Sequence, residues 1–197
     1  MILIYAIILL SLVAIMFRRD FSAIGQISFR GGWKLGLLVL GLFLLQAGLV
    51  IYVSGQSMFQ MFVVIGSQIL LALLFLLNHH IPGAKLFALG IILNTVVMIA
   101  NGGWMPITPE TYQSIRPERN VELQARAPAS KGIMLEQHDT NLWFLTDVIP
   151  INLLGHKNAL SIGDVLILAG IAQFLFLATP GNKVEASGRA SQVNTSP

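Results

Sequence analysis

The chain contains no cysteine, and only 11% of its 197 residues are charged. Without cysteine no disulfide can staple a loop, so any order outside the regular elements must come from packing. Soluble domains carry about 25% charged residues. A chain with less than half of that, 55% hydrophobic and with its apolar residues in long blocks, is not a disordered chain, a nucleic-acid binder or an ordinary soluble enzyme. What remains is the composition of an integral membrane protein. Such a sequence speaks clearly about topology and hardly at all about biochemistry.

A helix crosses the hydrocarbon core with about 20 apolar residues. Five blocks have suitable lengths: 1–17, 35–53, 59–77, 81–100 and 162–179. The first two carry no charge, Gln46 being the one amide of the second. The third holds Gln60, Ser67 and Gln68. The fourth starts with Pro82 and has Lys85 within snorkelling reach of the interface. The fifth holds Asp164 and Gln173. Everything else reads as loop or tail. Strands are not expected, because none of these blocks alternates polar and apolar residues. The expected fold class is an all-α integral membrane protein with five transmembrane helices. A single membrane domain covers residues 1–180, and a disordered cytoplasmic tail covers 181–197.

Orientation follows from the Lys/Arg bias of the loops. Arg18, Arg19, Arg30 and Lys34 in the first loop face a single acid, Asp20. Lys85, Lys183 and Arg189 fall on the same side by alternation, with Glu185. That side therefore carries seven cations and two acids. The other side carries five cations (Arg116, Arg119, Arg126, Lys131, Lys157) and six acids (Glu110, Glu118, Glu122, Glu136, Asp139, Asp147). The expectation is N-out/C-in in the cytoplasmic membrane, with the loop 101–160 outside. The basic pair Arg18-Arg19 follows the first apolar run rather than preceding it, so that run reads as a retained reverse anchor and not a signal peptide. The pI near 9.5 reflects inside loops meeting anionic headgroups. In the first loop Phe21, Ile24, Ile27, Phe29 and Trp33 recur near helical spacing, which predicts a short interfacial helix ended by Gly31-Gly32.

The outer loop is 60 residues long and holds five of the eight prolines. A loop this long is usually functional or disordered. It starts Asn101-Gly102-Gly103-Trp104-Met105-Pro106. Asn and Gly accept the left-handed conformation that ends a helix, and Pro prevents its resumption. Trp104 is expected at headgroup level. Thr108-Pro109-Glu110 is a helix start, and Pro117 must stop that helix after Arg116. Residues 142–151 are apolar but too short to span, which suggests a re-entrant or interfacial segment with Asp147 as its one charge. Ser161-Ile162-Gly163-Asp164 has the spacing of a capping box opening the last helix.

This combination, NGG-x-MP after one membrane helix and S-x-GD opening the last, resembles a bacterial family of small multi-pass membrane proteins of unknown function. The resemblance implies a membrane location. It supplies no activity, substrate or cofactor.

Two acids could form a carboxylate pair, Asp147 and Asp164, as in a membrane-embedded hydrolase whose acids share a proton. The tetrapeptide SIGD shares only its Gly-Asp pair with the GxGD context of intramembrane aspartyl enzymes, and the capping role accounts for Asp164 without chemistry. His138, Asp139, Asp147 and His156 lie on one loop, but without HxxxH or HExxH spacing they give no metal site. Gln60, Ser67 and Gln68 share one helix face; Gly83, Gly90, Asn94 and Asn101 line a second, and Gly163, Gly170 and Gln173 a third. Small and amide stripes serve close helix packing. The sharper reading is a polar pocket between these helices that opens outward under the loop. No buried charge and no inverted repeat support an ion-coupled transporter.

The function expected is therefore a non-enzymatic accessory subunit, or a binder of a lipid or small apolar ligand at the outer face. Candidate binding residues are Gln68, Asn94, Asn101, Gly102, Gly103, Trp104, Pro106, Asp147 and Asp164. The alternative is the hydrolase. No cofactor is indicated. The partners expected are membrane lipids or a membrane protein, and no nucleic acid.

Overall fold

The computed structural model describes residues 2–120, 122–153 and 155–179; the tail 181–197, including the Asn194 glycosylation-type acceptor, lies outside the described residues. The chain is mostly helical. Its long helices are α1 (Ile2–Met16), α2 (Gly32–Tyr52), α3 (Met58–Leu77), α4 (Ala84–Ala100) and α6 (Ile162–Leu177), with a short α5 (Pro109–Ile115). Of these, α2 and α3 are long and apolar enough to cross a membrane, while α1, α4 and α6 are shorter apolar helices. Their outward faces are bare apolar surface: Leu44 is 62% exposed and Phe62 66%.

Helix ends follow local chemistry. Ser57 caps α3, and Gln60 reaches back to complete a capping box. The Gln60 amide also donates to Leu49 O at 3.2 Å and Val53 O at 2.9 Å, closing the last turn of α2 onto the first turn of α3. One turn pair deeper, Ser67 donates to Gln46. The α4 helix starts three residues after the apolar block does. Pro82 cannot donate within a helix, and Gly83 caps the start in the left-handed conformation at φ +82°.

Neighbouring helices follow the order α2, α3, α4, α6, α1. The closest approach is between α4 and α6, where Gly83 faces Gly170 and Gly90 faces Gly163. A Cβ on Gly170 would lie 2.7 Å from Gly83 O, and one on Gly163 2.6 Å from Gly90 O. The small-residue stripes thus let two helix backbones touch. Gln173, assigned to the same stripe, is exposed instead.

Because α1 packs chiefly on α6, residues 17–31 run past the ends of α6 and α3 to reach α2. A short exposed helix does form in this loop, but it ends at Gln26 and not at Gly31. Asp20 captures the amide of Ser22 at 2.9 Å and its hydroxyl at 2.6 Å, which winds Phe21–Gln26 into a 3-10 turn with no buried residue. The chain then extends as a strap. Asn78, 1% exposed at the end of α3, pins it by accepting from Arg30 N at 2.7 Å and donating to Arg30 O at 3.1 Å. His80 adds a contact to Ser28 O at 3.2 Å. Gly31 does not end a helix; at φ +95° it begins α2. At the other end of the strap, Arg19 donates to Thr179 O at 3.3 Å and lies over the Phe176 ring.

Strands do occur, all in the segment between α4 and α6. The pair β1 (Met105–Ile107) and β2 (Gly132–Met134) is parallel, and β3 (Ile149–Leu153) and β4 (His156–Leu160) form an antiparallel hairpin. The first two are three residues long and buried throughout, so they show no alternation to read. Together with α5 they build a cap with its own core of Ile107, Tyr112, Ile115, Ala127, Met134 and Ala159. A second cluster, Val50, Val64, Val97, Met98 and Met105, joins the cap to the helices.

Candidate functional site

Three features of the cap bear on function: a hinge where it leaves α4, a polar junction between α4 and α6, and a cavity beneath it.

The hinge is the NGG-x-MP segment. Asn101 donates to Val97 O at 2.8 Å and to Asn141 O at 2.9 Å, and accepts from Asn141 N at 2.9 Å. One side chain therefore closes α4 and holds the apolar segment 142–151 against it. Gly103 N donates to Met98 O at 2.7 Å, and both Gly102 and Gly103 have positive φ. A Cβ on Gly103 would collide with Met61. Trp104 is not at a headgroup-level surface: it is 2% exposed and lies under the Arg126 guanidinium, 5.0 Å from the ring centroid. Arg126 in turn donates to Val53 O, so the stack ties the cap to the end of α2. Pro106 is fully buried in β1. The segment 142–151 is a 3-10 turn at Trp143–Leu145 followed by the start of β3.

At the junction, Ser161 and Asp164 form the capping box of α6. Asp164 N donates to Ser161 Oγ at 3.0 Å, and Ser161 N donates to Asp164 Oδ2 at 3.3 Å. Asn94 on α4 completes the set: it donates to Asp164 Oδ1 at 2.9 Å and accepts from Ser161 Oγ at 2.8 Å. Both carboxylate oxygens of Asp164 are thereby engaged as acceptors. Asp147 lies near enough to feel the charge of Asp164, with Lys131 beside both. Desolvation, reinforced by Asp164, pushes the Asp147 carboxyl well above its ordinary range, while Lys131 opposes the shift. Burial likewise pushes the Lys131 ammonium down, and the two acids partly restore it. Asp147 is half-buried rather than sealed, because it opens onto the cavity.

The cavity has a volume of about 390 Å³, within the range of ligand pockets, ~300–1,000 Å³. Its apolar wall is Ile107, Ile115 and Ala127, and its far side is Tyr5 of α1, stacked on His156 at 4.8 Å. Arg116, Arg119 and Lys157 line it as cations, and Asp147 is its one acid. Arg116 is fixed by donating to Ile115 O at 3.0 Å and Lys157 O at 3.1 Å. Tyr112 is 5% exposed, and its hydroxyl forms no hydrogen bond among the described residues. That hydroxyl is close enough to the Arg119 guanidinium to hold its pKa up.

The expected polar pocket among the amide stripes is therefore displaced. The cavity does lie under the cap, but α1, α5 and β4 line it, and of the nine candidate binding residues only Asp147 reaches it. Asn94 and Asp164 meet each other, Asn101 to Pro106 form the hinge, and Gln68 is buried within α3. His138 pairs with its neighbour Asp139 at 3.4 Å on the surface, apart from His156. Among the described residues no three His, Asp or Glu gather as metal ligands would. Sequence reasoning missed Tyr5, Tyr112, Arg116, Arg119 and Lys157. The one available signal was Tyr5, a lone hydroxyl in an otherwise apolar helix end.

Comparison with known proteins gives a consistent picture. The model of a family described as a family of unknown function (DUF5317) matches residues 26–176. An uncharacterized protein of Thermotoga maritima is 34% identical over 112 residues, covering 56% of this chain. The match spans 61% of that protein's length, so less than two thirds of it is shared. No solved structure matches the chain.

Proposed function

We propose, for a chain that belongs to the DUF5317 family of unknown function, a role as a multi-pass protein of the cytoplasmic membrane that binds a lipid at its outer face without catalysing a reaction. In this reading α1, α2, α3, α4 and α6 cross the bilayer, N-out and C-in, and the cap lies outside. The apolar faces of the helices support it. Only 17% of the most apolar window of α2 is buried, whereas a core helix of a soluble protein would be mostly buried. Bare apolar surface on this scale is not sustained in water. The cation bias of the strap side supports the orientation.

The observation that carries the binding role is the cavity, bounded by α1 on one side and the cap on the other. Its mixed apolar and cationic lining suits an amphipathic molecule at a bilayer surface. The test is gentle solubilisation of native membranes followed by native mass spectrometry of the purified chain. A lipid retained in stoichiometric amount is the expected result. A stoichiometric protein without lipid would replace this reading with that of an accessory subunit.

One observation favours a second reading, a hydrolase on Asp147 and Asp164: the charge of Asp164 helps to push the Asp147 carboxyl up, as in a proton-sharing pair. Against it stands the engagement of both Asp164 oxygens by Ser161 and Asn94. Loss of a deletion phenotype's rescue by Asp147→Asn, with abundance and melting temperature unchanged, would favour the hydrolase.

A further inference from the structure

We propose that the cavity beneath the cap is a site for a phosphate group, carried by an anionic amphiphile whose apolar part lies toward α1. This rests on the membrane reading above and names the ligand class. Three observations converge on it. The first is the Tyr112 side chain, which lines the cavity with its hydroxyl beside the Arg119 guanidinium. An oxyanion bound by Arg119 would bring an acceptor to that hydroxyl as well. The second is the charge of the wall. Arg116 and Arg119, at and just past the end of α5, and Lys157 on β4 come from separate segments and meet at one cavity. Guanidinium forks match the paired oxygens of a phosphate better than any neutral group does. Two backbone carbonyls already hold Arg116 in place, so little side-chain freedom is lost on binding. The third is the apolar part of the wall, Ile107, Ile115 and Ala127, with Tyr5 of α1 in the same lining. A free inorganic anion would leave that wall unused.

The one acid in the lining does not oppose this assignment. Asp147 is pushed toward its protonated form by burial and by Asp164, and a neutral carboxyl donates to an anion instead of repelling it.

The full chain, purified in mild detergent and stripped of lipid, is titrated with phosphatidylglycerol, phosphatidylcholine, diacylglycerol and inorganic phosphate while the melting temperature is followed. Phosphatidylglycerol should raise it saturably, with phosphatidylcholine much weaker and diacylglycerol inert. Arg119→Gln with Lys157→Gln should weaken phosphatidylglycerol at least about tenfold, as the loss of charge-assisted contacts predicts. Lys34→Gln with Lys85→Gln, which removes the same charge at the far end of the bundle, should leave its affinity unchanged. Tyr112→Phe should still fold without lipid, yet bind phosphatidylglycerol less tightly. A saturable shift from inorganic phosphate alone, abolished in the Arg119/Lys157 variant, would keep the phosphate site and make soluble phosphate its source. Equal responses to diacylglycerol, or unchanged affinity in the Arg119/Lys157 variant, would overturn the proposal. Alkaline washing of membranes separates the two levels. A chain released by the wash refutes the membrane reading, whereas one retained but unresponsive to every phosphate ligand refutes only this inference.

Discussion

Gly170→Ala puts the α4–α6 contact to a quantitative test. The new Cβ would lie 2.7 Å from Gly83 O, 2.8 Å from Phe87 N and 3.2 Å from Phe87 Cβ. Nonbonded carbon prefers about 3.5 Å, so α4 would have to retreat by roughly 0.7 Å. The two nearest atoms are backbone, which cannot rotate away as a side chain could. Overpacking of this kind costs ~1–3 kcal/mol, and rigid backbone contacts place the cost in the upper part of that range. Alanine returns about 1 kcal/mol through helix propensity. The net loss is then about 1–2 kcal/mol, or a melting temperature lower by roughly 2–8 °C for a chain of this size. Gly41→Ala is the internal control. It lies in α2 with nothing within 4 Å of its Cβ, so only the propensity gain applies, and the melting temperature should rise by roughly 2–4 °C. The two substitutions are chemically identical and should move stability in opposite directions. A rise for both would refute the backbone contact and with it the packing role of the glycine stripes.

Three further outcomes follow from the cap and its junction. Asp164→Ala removes a helix cap and an Asn94 partner together and should cost ~1–3 kcal/mol by thermal melting. Asp164→Asn, which keeps one acceptor oxygen, should cost less, and equal losses would speak against the two-acceptor geometry. For Asp147 the folded carboxyl pKa is raised, so the folded chain holds a proton that the unfolded chain has released. Stability must therefore fall as pH climbs from the ordinary carboxyl value, about 3.9, toward the raised one. Asp147→Asn should match wild type below that window and melt higher above it; a difference independent of pH would show that burial does not govern the group. For topology, a cysteine at Ser130 should react with an impermeant thiol reagent in intact cells and one at Ser187 should not, and the chain's lack of cysteine keeps the background clean.

What could be read in advance was local. The capping box of α6, the Thr108 cap with Pro109 behind it, and the stop of α5 before Pro117 each depend on residues within four positions of one another. The strap was misread because its decisive partner, Asn78, is 48 residues from Arg30. With Asn78 unseen, the apolar periodicity from Phe21 to Phe29 read as one helix, whereas the helical turn ends at Gln26. Asn94 was assigned to a packing stripe, but its partners Ser161 and Asp164 stand 67 and 70 residues away. Trp104 looked like an interfacial indole because nothing local to it announces Arg126. Each error substituted a local or membrane-surface partner for a distant protein one.

The cavity shows the same limit from the side of charge. Counted along the sequence, the segment 101–160 is nearly balanced, five cations against six acids. Folding does not preserve that balance in space. Glu110, Glu118, Glu122 and Asp139 stay on the exposed surface, while Glu110 and Glu136 flank a shallow depression beside His138. Arg116, Arg119 and Lys157, the latter two also exposed, all line the cavity, with Asp147 the single acid among them. A Debye length near 8 Å at physiological salt makes that local excess, and not the sum over the loop, the field an approaching anion meets. The acids set the overall sign of the segment, and the placement of three cations sets the local excess that the proposed ligand would meet.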